Sequence, residues 1–425
     1  MTRQLTVLLL ALATLSAVDV GAANAKDRWI GTWSAATQPA RPESAQTFRN
    51  QTVRLVVHVS AGGKRVRIRL SNRFGDKPLV VGSAHVARRA TGADTVPGSD
   101  RLLNFGGSGS ITVAAGSEAT SDPVELEVAA LSDLAVSLYF AEEARATTSH
   151  VLALQTSYRS SDPGDVTATV KFPAAETISN WPFLTGVEVS APMRSAAIVA
   201  FGSSMTDGDG GSEDANRRWP DVLAARLHEG RRAHELGVLN AGLIGNRLLH
   251  DSPRTANNPF GPMLGEAGLK RFEYDVLAQA GVEYVVIALG VNDIVFPAFP
   301  FTPPDEVVTS DALIAGYRQL ITRAHSRGVR VIGTTIPPFE GAKFERAGLN
   351  ADLFTPEREN LRAAVNEWIR HGGAFDGVVD FDQAVRDPAH PTRVLPAFAS
   401  EDHWHPNDAG YEATADAIPL DLFRK

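Results

Sequence analysis

The chain has 425 residues, a formal net charge of −8, 44% hydrophobic and 21% charged residues, and no cysteine. This length is enough for two or three domains, and the composition is that of an ordinary globular protein. A mildly acidic chain has no general attraction for nucleic acid or anionic lipid. The lack of cysteine excludes disulfides, thiolate metal sites and cysteine nucleophiles.

Residues 1–25 have the pattern of a secretory signal peptide. Arg3 precedes an apolar run over residues 5–18, which is too short to span a bilayer well, and Ala23-Asn24-Ala25 is an A-x-A cleavage site. We expect cleavage after Ala25 and a secreted or periplasmic location. No later stretch is long and apolar enough to predict a membrane span.

Residues 26–192 are predicted to form a β-rich accessory domain, either a β-sandwich or a jelly roll. Short alternating runs separated by Gly, Ser, Asp and Pro favour this architecture. A hairpin turn is predicted at Gly62-Gly63, and Ser179-Asn180-Trp181-Pro182 is interpreted as the turn that opens the linker to the second half. The predicted strands are Thr52–Val59, Arg65–Leu70, Leu79–Arg88, Gly109–Ala114, Val124–Val128 and Leu134–Phe140.

The charged residues of this half do not form a recognisable catalytic pattern. Arg65, Arg67 and Arg69 share one strand face and could hold an anionic or sugar ligand, but a solvated outer sheet face is the simpler interpretation. Three histidines are scattered without metal-ligand spacing, at His58, His85 and His150. We interpret this half as a supporting or carbohydrate-contacting module.

Residues 193–425 alternate strand-like with helical patterns, which predicts right-handed βαβ units and a parallel sheet covered on both faces. The fold class is therefore α/β, a three-layer domain, and five strands favour a flavodoxin-like order. The predicted strands are Ala196–Phe201, Gly237–Asn240, Tyr284–Leu289, Val329–Ile336 and Gly377–Phe381. The predicted helices are Trp219–His228, Leu269–Gln279, Asp311–Ser326, Pro356–Arg370 and Asn407–Phe423.

Polar residues follow three of these strands and precede the last helix. Ser204 follows the first strand, the glycine-containing segment 240–246 follows the second, and Asn292 follows the third. Because the carboxyl ends of parallel strands meet at one edge, we expect these residues to lie together. Asp402 lies three residues before His405, so it could orient the imidazole as a general base for a serine hydroxyl. Backbone N–H groups of the loop and an Asn amide could stabilise an oxyanion.

Together these segments resemble the four signature blocks of the SGNH (GDSL) hydrolase superfamily. Gly202-Ser203-Ser204-Met205 resembles the Gly-Asp-Ser-Leu block, Gly245 the glycine of the second block, Gly290-x-Asn292-Asp293 the third block, and Asp402-x-x-His405-Pro406 the last. The resemblance covers roughly residues 193–425. The preceding β-rich region resembles, more loosely, the two-domain secreted members grouped with xylan-associated acetylesterases.

The resemblance implies a serine esterase that works through an acyl-enzyme. Ser204 would be the nucleophile, His405 the general base and Asp402 its orienting partner. The oxyanion hole would consist of the N–H groups of Ser204 and Gly245 and the side chain of Asn292. No metal or organic cofactor is implied. The expected substrate is a small-molecule or polysaccharide ester, with short acyl groups, acetyl in particular, on carbohydrate.

One position departs from the family pattern, because Ser203 stands where the family usually has Asp. The phase of Thr206-Asp207-Gly208 favours Ser204 over Ser203 as the nucleophile. This departure favours one alternative, a catalytically impaired carbohydrate-binding protein. A second alternative is a lipase-like hydrolase of longer acyl esters. For the second, an apolar wall could be formed by Phe296, Phe299 and Phe301.

A metal site is a further alternative, because Asp207, Asp209, Glu213 and Asp214 lie close together in sequence. The segment misses the calcium-loop pattern, since Gly211 stands where an Asp or Asn ligand belongs. We therefore expect no metal.

Overall fold

The computed structural model describes residues 27–41, 43, 45–161, 163–229 and 236–424. The predicted signal peptide, residues 1–25, lies outside the described residues. Within the described ranges, no helix combines the length and the apolar character that crossing a membrane requires.

The N-terminal region is β-rich, and its two larger sheets share one hydrophobic cluster. The first sheet contains Asp27–Ser34, Leu184–Pro192, Gly63–Ser71, Glu118–Thr120 and Val124–Val128. The second contains Ala174–Ile178, Ser157–Ser160, Gln51–Val59, Ser132–Phe140, Ser83–Thr91, Asp94–Thr95 and Arg101–Leu102. Smaller sheets join Gln38–Pro39 and Trp181–Pro182 to Thr148–His150, Leu79–Val81 to Ile111–Val113, and Thr47–Phe48 to Ala144–Arg145.

The alternation along Gly63–Ser71 has the predicted effect. Val66, Ile68 and Leu70 are fully buried in the cluster between the sheets. The intervening arginines are half-buried rather than solvated, since Arg67 pairs with Glu188 at 2.6 Å. The arginine face is therefore used within the fold.

Three local predictions in this region are wrong. Gly62-Gly63 does not close a hairpin, because the strands on either side of it belong to different sheets; the turn carries the chain from one sheet to the other. Ser179-Asn180-Trp181-Pro182 does not open a linker. Trp181 is buried and its strand pairs with His150. The predicted strand Leu79–Arg88 is divided at Gly82 into two strands of different sheets.

The C-terminal region contains the predicted parallel sheet of five strands. In spatial order these are Leu236–Ala241, Ala196–Gly202, Val282–Ala288, Arg330–Thr334 and Gly377–Val379. The first strand in sequence therefore lies second in space, and the order reverses beside it. Such a reversal opens a crevice at the carboxyl ends of the strands.

Four longer helices flank this sheet: Trp219–Glu229, Ser310–His325, Pro356–His371 and Asp408–Asp416. Shorter helical segments are Ser204–Asp207, Gly261–Leu264, Gly268–Phe272, Glu273–Leu277, Val291–Val295, Phe296–Ala298, Pro304–Glu306, Phe381–Val385, Pro396–Phe398 and Leu420–Phe423. The helix predicted over 407–423 is interrupted, because Pro419 has no N–H to donate. The helix predicted over 269–279 changes to π-helical geometry at Glu273.

Alternate residues of the strand Ala196–Gly202 belong to two different hydrophobic clusters. Ala197, Val199 and Phe201 pack in the cluster that contains residues of the second and third long helices. Ile198 and Ala200 pack in the cluster that contains residues of the first and fourth. Both faces of the strand are therefore buried, which explains why its sequence is uninterruptedly apolar.

The N-terminal region lies against the edge strand Leu236–Ala241 of the parallel sheet. Val238 donates its N–H to Ser60 Oγ at 2.8 Å, and Ser60 Oγ lies 3.0 Å from the Val238 carbonyl oxygen. A Cβ on Gly237 would lie 2.1 Å from the Gly31 carbonyl oxygen, so the two backbones are in direct contact. The edge of the parallel sheet is thus covered, which removes a site for unwanted strand pairing.

We expect Gly237→Ala to destabilise the protein by about 1–3 kcal/mol, because the added methyl group must displace the backbone of Gly31. Chemical denaturation of the purified protein measures this. Gly109→Ala is the control, since a Cβ there meets only ordinary van der Waals contacts. Equal unfolding midpoints for the two variants would contradict the close approach.

Candidate active site

Ser204 is held at the carboxyl end of the strand Ala196–Gly202. It is the first residue of the short helix Ser204–Asp207, and Ser203 precedes it in an extended conformation. The N–H groups at the start of a helix have no partner within it, so that of Ser204 can serve a ligand. The strand-to-helix turn therefore presents a hydroxyl and a backbone donor together.

His405 connects Ser204 to Asp402. The imidazole Nε2 lies 2.9 Å from Ser204 Oγ, and Nδ1 lies 2.6 Å from Asp402 Oδ2. Both Ser204 and His405 are 2% exposed. With the proton on Nδ1 donated to the carboxylate, Nε2 is free to accept the serine proton. The sequence predicted this grouping of three residues, and the structure brings them together.

Asp402 is fixed by its own loop. Its Oδ1 accepts hydrogen bonds from the backbone N–H groups of Trp404 and His405, at 3.0 and 2.9 Å, and from Ser400 Oγ at 2.8 Å. Burial opposes ionisation, but the hydrogen bond and charge of His405 and the backbone donors outweigh it and hold the pKa of Asp402 well below its usual range. The carboxylate therefore stays charged beside the imidazole.

A second carboxylate, Asp209, lies beside the same imidazole. Its Oδ2 is 3.7 Å from His405 Nε2, and both of its oxygens accept from Arg346 Nη1, at 3.0 and 2.7 Å. Arg346 Nη2 also lies 3.5 Å from Asp402 Oδ2. Sequence reasoning did not associate Arg346 or Asp209 with His405. Arg346 is 137 residues from Asp209 in the chain, and no local pattern announces such a pair.

The predicted oxyanion-hole residues lie around the same pocket as Ser204. Gly245 and Asn292 both line it. Asn292 is buried in the helix Val291–Val295 and donates one amide hydrogen to the Asn246 carbonyl oxygen at 2.9 Å. That bond fixes the amide plane and leaves its second N–H available. Gly245 has φ +67°, which a residue with a side chain rarely adopts.

This pocket holds about 500 Å³ of unfilled space, part of it open to solvent. Its walls are largely aromatic, and the phenylalanines of the wall contact one another edge to face and stacked. They are Phe260, Phe296, Phe299, Phe301 and Phe344. The sequence predicted an apolar wall from three of these; Phe260 and Phe344 come from other loops. The pocket suits an apolar group bound next to Ser204.

A second, wider cleft borders the site on the side of Asp402, and its lining is polar and charged. It includes Lys343, Glu345, Glu401 and His403. Arg346 lines both the cleft and the aromatic pocket. Along residues 343–345 the side chains alternate, so that Phe344 lines the pocket while its neighbours line the cleft. Two chemically different surfaces therefore border the site, the aromatic pocket at Ser204 and His405 and the polar cleft at Asp402.

Ser203 lines a different cavity, together with Met205 and Trp219, and not the pocket of Ser204. This separation agrees with the assignment of Ser204, rather than Ser203, as the candidate nucleophile.

Three of the four acidic residues that suggested a metal have separate protein partners. His150 pairs with Asp207 at 2.8 Å, Arg346 with Asp209, and Thr156 and Gln155 with Asp214. Within the described residues, no group of three potential ligands is placed to hold a metal ion.

Comparisons with known proteins identify the C-terminal region. The family model described as GDSL-like lipase/acylhydrolase matches residues 198–418, just over half of the chain. No curated protein matches the sequence.

Solved structures with a similar fold include a lipolytic protein of the G-D-S-L family from Desulfitobacterium hafniense, at 19% identity, covering 52% of this chain and 97% of that chain with a TM-score of 0.35. Another is a carbohydrate acetylesterase from Sinorhizobium meliloti, at 16% identity, covering 52% and 96% with a TM-score of 0.38. A third is a mutant of an acetyl-xylooligosaccharide esterase from Geobacillus, at 19% identity, covering 55% and 98% with a TM-score of 0.38.

The family match spans the sheet, the serine turn, the Asn292 loop and the Asp402–His405 segment. The chain belongs to the GDSL-like lipase/acylhydrolase family and is a carboxylic ester hydrolase.

Proposed function

We propose that Ser204, His405 and Asp402 form the catalytic triad of this esterase. Ser204 Oγ attacks the ester carbonyl carbon while His405 Nε2 takes its proton, and the resulting imidazolium then protonates the departing alcohol. Water activated by His405 hydrolyses the acyl-enzyme and releases the acid. The hydrogen-bonded chain from Ser204 through His405 to Asp402 is the observation that carries this proposal.

Two carboxylates stabilise the imidazolium. Asp402 binds Nδ1, and Asp209 lies close to Nε2. Arg346 donates hydrogen bonds to both oxygens of Asp209 and so balances the charge of that carboxylate. The charge developing on His405 thus meets fixed opposite charge without reorganisation of the site.

The oxyanion is stabilised by the N–H groups of Ser204 and Gly245 and by the remaining amide N–H of Asn292. All three residues line the pocket in which the carbonyl oxygen would lie. Removal of one such donor typically costs about 3–4 kcal/mol of transition-state stabilisation. Ser203 has no part in this step, and its hydroxyl replaces a supporting carboxylate of the family pattern.

The acyl group lies in the phenylalanine-lined pocket and the alcohol lies in the polar cleft. An apolar wall of five phenylalanines contributes little binding free energy for an acetyl group and much more for a longer or branched acyl chain, because this free energy scales with the apolar area buried. The mixed charges of the cleft suit a hydroxyl-rich alcohol such as a sugar. Acetyl as the acyl group stays a prediction of the sequence, and so does export of the mature protein.

We also infer the finer architecture: a three-layer, flavodoxin-like hydrolase domain preceded by a β-sandwich or jelly roll. The strand order and the two hydrophobic clusters on either side of the strand Ala196–Gly202 support the first part. The shared cluster between the two antiparallel sheets supports the second.

Ser204→Ala should lower kcat for p-nitrophenyl esters by at least about 10³-fold, because the nucleophile is lost. Ser203→Ala is the matched control and should stay within about tenfold of the unmodified protein. Activity that survives Ser204→Ala and is lost in Ser203→Ala would reverse the assignment. Absence of any ester hydrolysis in the unmodified protein would favour a binding protein with an impaired site.

Asp402→Asn should lower kcat by roughly 10³–10⁴-fold, because the imidazole loses its orienting charge. It should also destabilise the fold at neutral pH. The folded-state pKa of Asp402 is depressed, so its stabilising contribution is present above the ordinary carboxyl pKa of about 4 and is lost as the pH falls further. Urea unfolding between pH 7 and pH 3 should show a stability difference that is constant above about pH 5 and begins to narrow below the ordinary carboxyl pKa of about 4. A difference that stays constant over the whole range would contradict an ionised Asp402.

Phe344→Ala should lower kcat/KM for octanoyl esters about tenfold or more while changing that for acetyl esters only a few-fold, because the lost wall contacts only the longer chain. Its neighbour is the matched comparison: Lys343→Ala should alter the ratio between glycosyl and alkyl esters of one acid instead. A chain-length series of p-nitrophenyl esters and a pair of octanoyl esters test both. If activity is highest on acetyl esters and Phe344→Ala does not change it, the longer-acyl proposal is wrong and acetylated carbohydrate is the favoured substrate.

A further inference from the structure

The N-terminal region places a buried histidine against the serine turn. His150, in the strand Thr148–His150, is 3% exposed. Its Nε2 lies 2.8 Å from Oδ1 of Asp207, the last residue of the helix that Ser204 begins. The carboxylate is itself 2% exposed, so this ion pair between the two regions is removed from water.

The surroundings of His150 favour a doubly protonated ring, because each polar atom that faces it is an oxygen. Nδ1 lies 2.8 Å from the Ala36 carbonyl oxygen, and Nε2 faces the Leu152 carbonyl oxygen at 3.1 Å as well as Asp207. A neutral imidazole would turn a lone pair toward one of these oxygens. The Trp181 ring is stacked on the imidazole at 5.5 Å, an arrangement that favours a cation.

The electrostatic balance agrees with this geometry. Burial lowers the pKa of His150, but the charge and hydrogen bond of Asp207 and the two carbonyl contacts outweigh it, so the pKa is raised. Two other ionisable groups act on Asp207, the buried Arg271 and the Tyr411 hydroxyl. The charge on His150 therefore has a fixed counterion in the serine turn.

Asp207 also binds the loop that contains Gly245. Its Oδ2 accepts the N–H of Ile244 at 3.0 Å, and Ile244 directly precedes Gly245. The same loop touches the serine helix without any intervening side chain, because a Cβ on Gly242 would lie 2.2 Å from the Asp207 nitrogen. A change in the orientation of Asp207 would therefore move the loop that carries Gly245.

The segment that follows His150 packs against the segment that follows the helix Ser204–Asp207. Asp214 accepts from the Thr156 N–H and from Gln155 Nε2, both at 2.7 Å, and the Asp214 N–H donates to the Leu154 carbonyl oxygen at 3.0 Å. Arg218 contacts the Ala153 carbonyl oxygen. His150 is thus held in register with the site by several bonds.

We propose that His150 is a positioning residue of the esterase: its imidazolium holds Asp207 so that the Ile244–Gly245 segment keeps its N–H donors aligned with Ser204. The β-rich region is then part of the active site rather than an appended module. This inference rests on the proposed roles of Ser204 and Gly245. Because misplaced oxyanion donors act on the transition state more than on the bound substrate, the effect falls on kcat.

The test compares His150→Leu, Asp207→Asn and the double variant in the full-length mature protein, with a p-nitrophenyl ester. Each single variant should lower kcat about 10–100-fold with KM within about threefold of the unmodified value. The kcat of the double variant should be no lower than that of the less active single variant, because both substitutions remove the same interaction. Asp207→Asn keeps the side-chain volume and provides a readout if His150→Leu does not fold.

His85→Leu is the matched control, because it removes another His–Asp pair of the same region, with Asp100 at 2.8 Å. It should leave kcat within twofold, even where the melting temperature falls. Unchanged kcat in the His150 and Asp207 variants, with Ser204→Ala inactive, would overturn this inference alone. Activity that survives Ser204→Ala would overturn the proposed function first. Additive losses in the double variant would also contradict a single shared interaction.

Discussion

The site depends on Arg271, whose guanidinium hydrogen-bonds to three segments at the edge of the parallel sheet where the candidate active site lies. Its N–H groups donate to the carbonyl oxygens of Gly202 and Ala241, at 2.7 and 2.9 Å, and to Asn246 Oδ1 at 2.8 Å. These are the carboxyl ends of two neighbouring strands and the loop behind Asn292. The planar, fixed geometry of a guanidinium sets such distances more strictly than a lysine could. Asp275 and the face of Phe201 balance the buried charge.

The loops around the site are also held close to one another by direct backbone contacts and hydrogen bonds. The serine turn and the loop after the second strand approach with bare backbone at Gly242, so their N–H groups can lie on one side of a substrate. Asp293 accepts the N–H groups of Leu248 and Leu249, at 2.7 and 2.9 Å, and ties the Asn292 loop to the same structure. Burial of Asp293 raises its pKa, which these two donors only partly offset. The candidate catalytic side chains are therefore carried on loops that are tied to one another by backbone contacts.

The parts of this arrangement that sequence could predict are those encoded by local pattern. The apolar runs fixed the five parallel strands to within a few residues, and the polar residues at their carboxyl ends located Ser204 and Asn292. Asp402 and His405 are three residues apart, so one loop encodes their contact. The errors have equally local causes. Gly62-Gly63 is compatible with a hairpin and with a sheet-to-sheet crossing, and only distant strands decide between them.

The rest of the site could not be predicted, because its contacts join segments that carry no shared pattern. His150 looks like any scattered histidine until Asp207 lies beside it, and Arg346 lies in a loop with no periodicity. Phe260 and Phe344 join the pocket from separate loops in the same way. A carboxylate with a distant counterion and a carboxylate awaiting a metal have the same sequence signature. Hence the acidic segment 207–214 raised a metal site as an alternative, whereas Asp207, Asp209 and Asp214 have partners elsewhere in the protein.

The pairing of the first described strand has a consequence for how the chain folds. Asp27–Ser34 forms its ladder with Leu184–Pro192, at the far end of the N-terminal region, and then lies against Leu236–Ala241. Contacts of such long sequence separation form slowly, because the intervening chain must be closed first. The opening strand therefore stays unpaired on that side until most of the β-rich region is available to fold. An exposed strand edge can pair with other chains, so this late ladder makes the partly folded protein prone to aggregation.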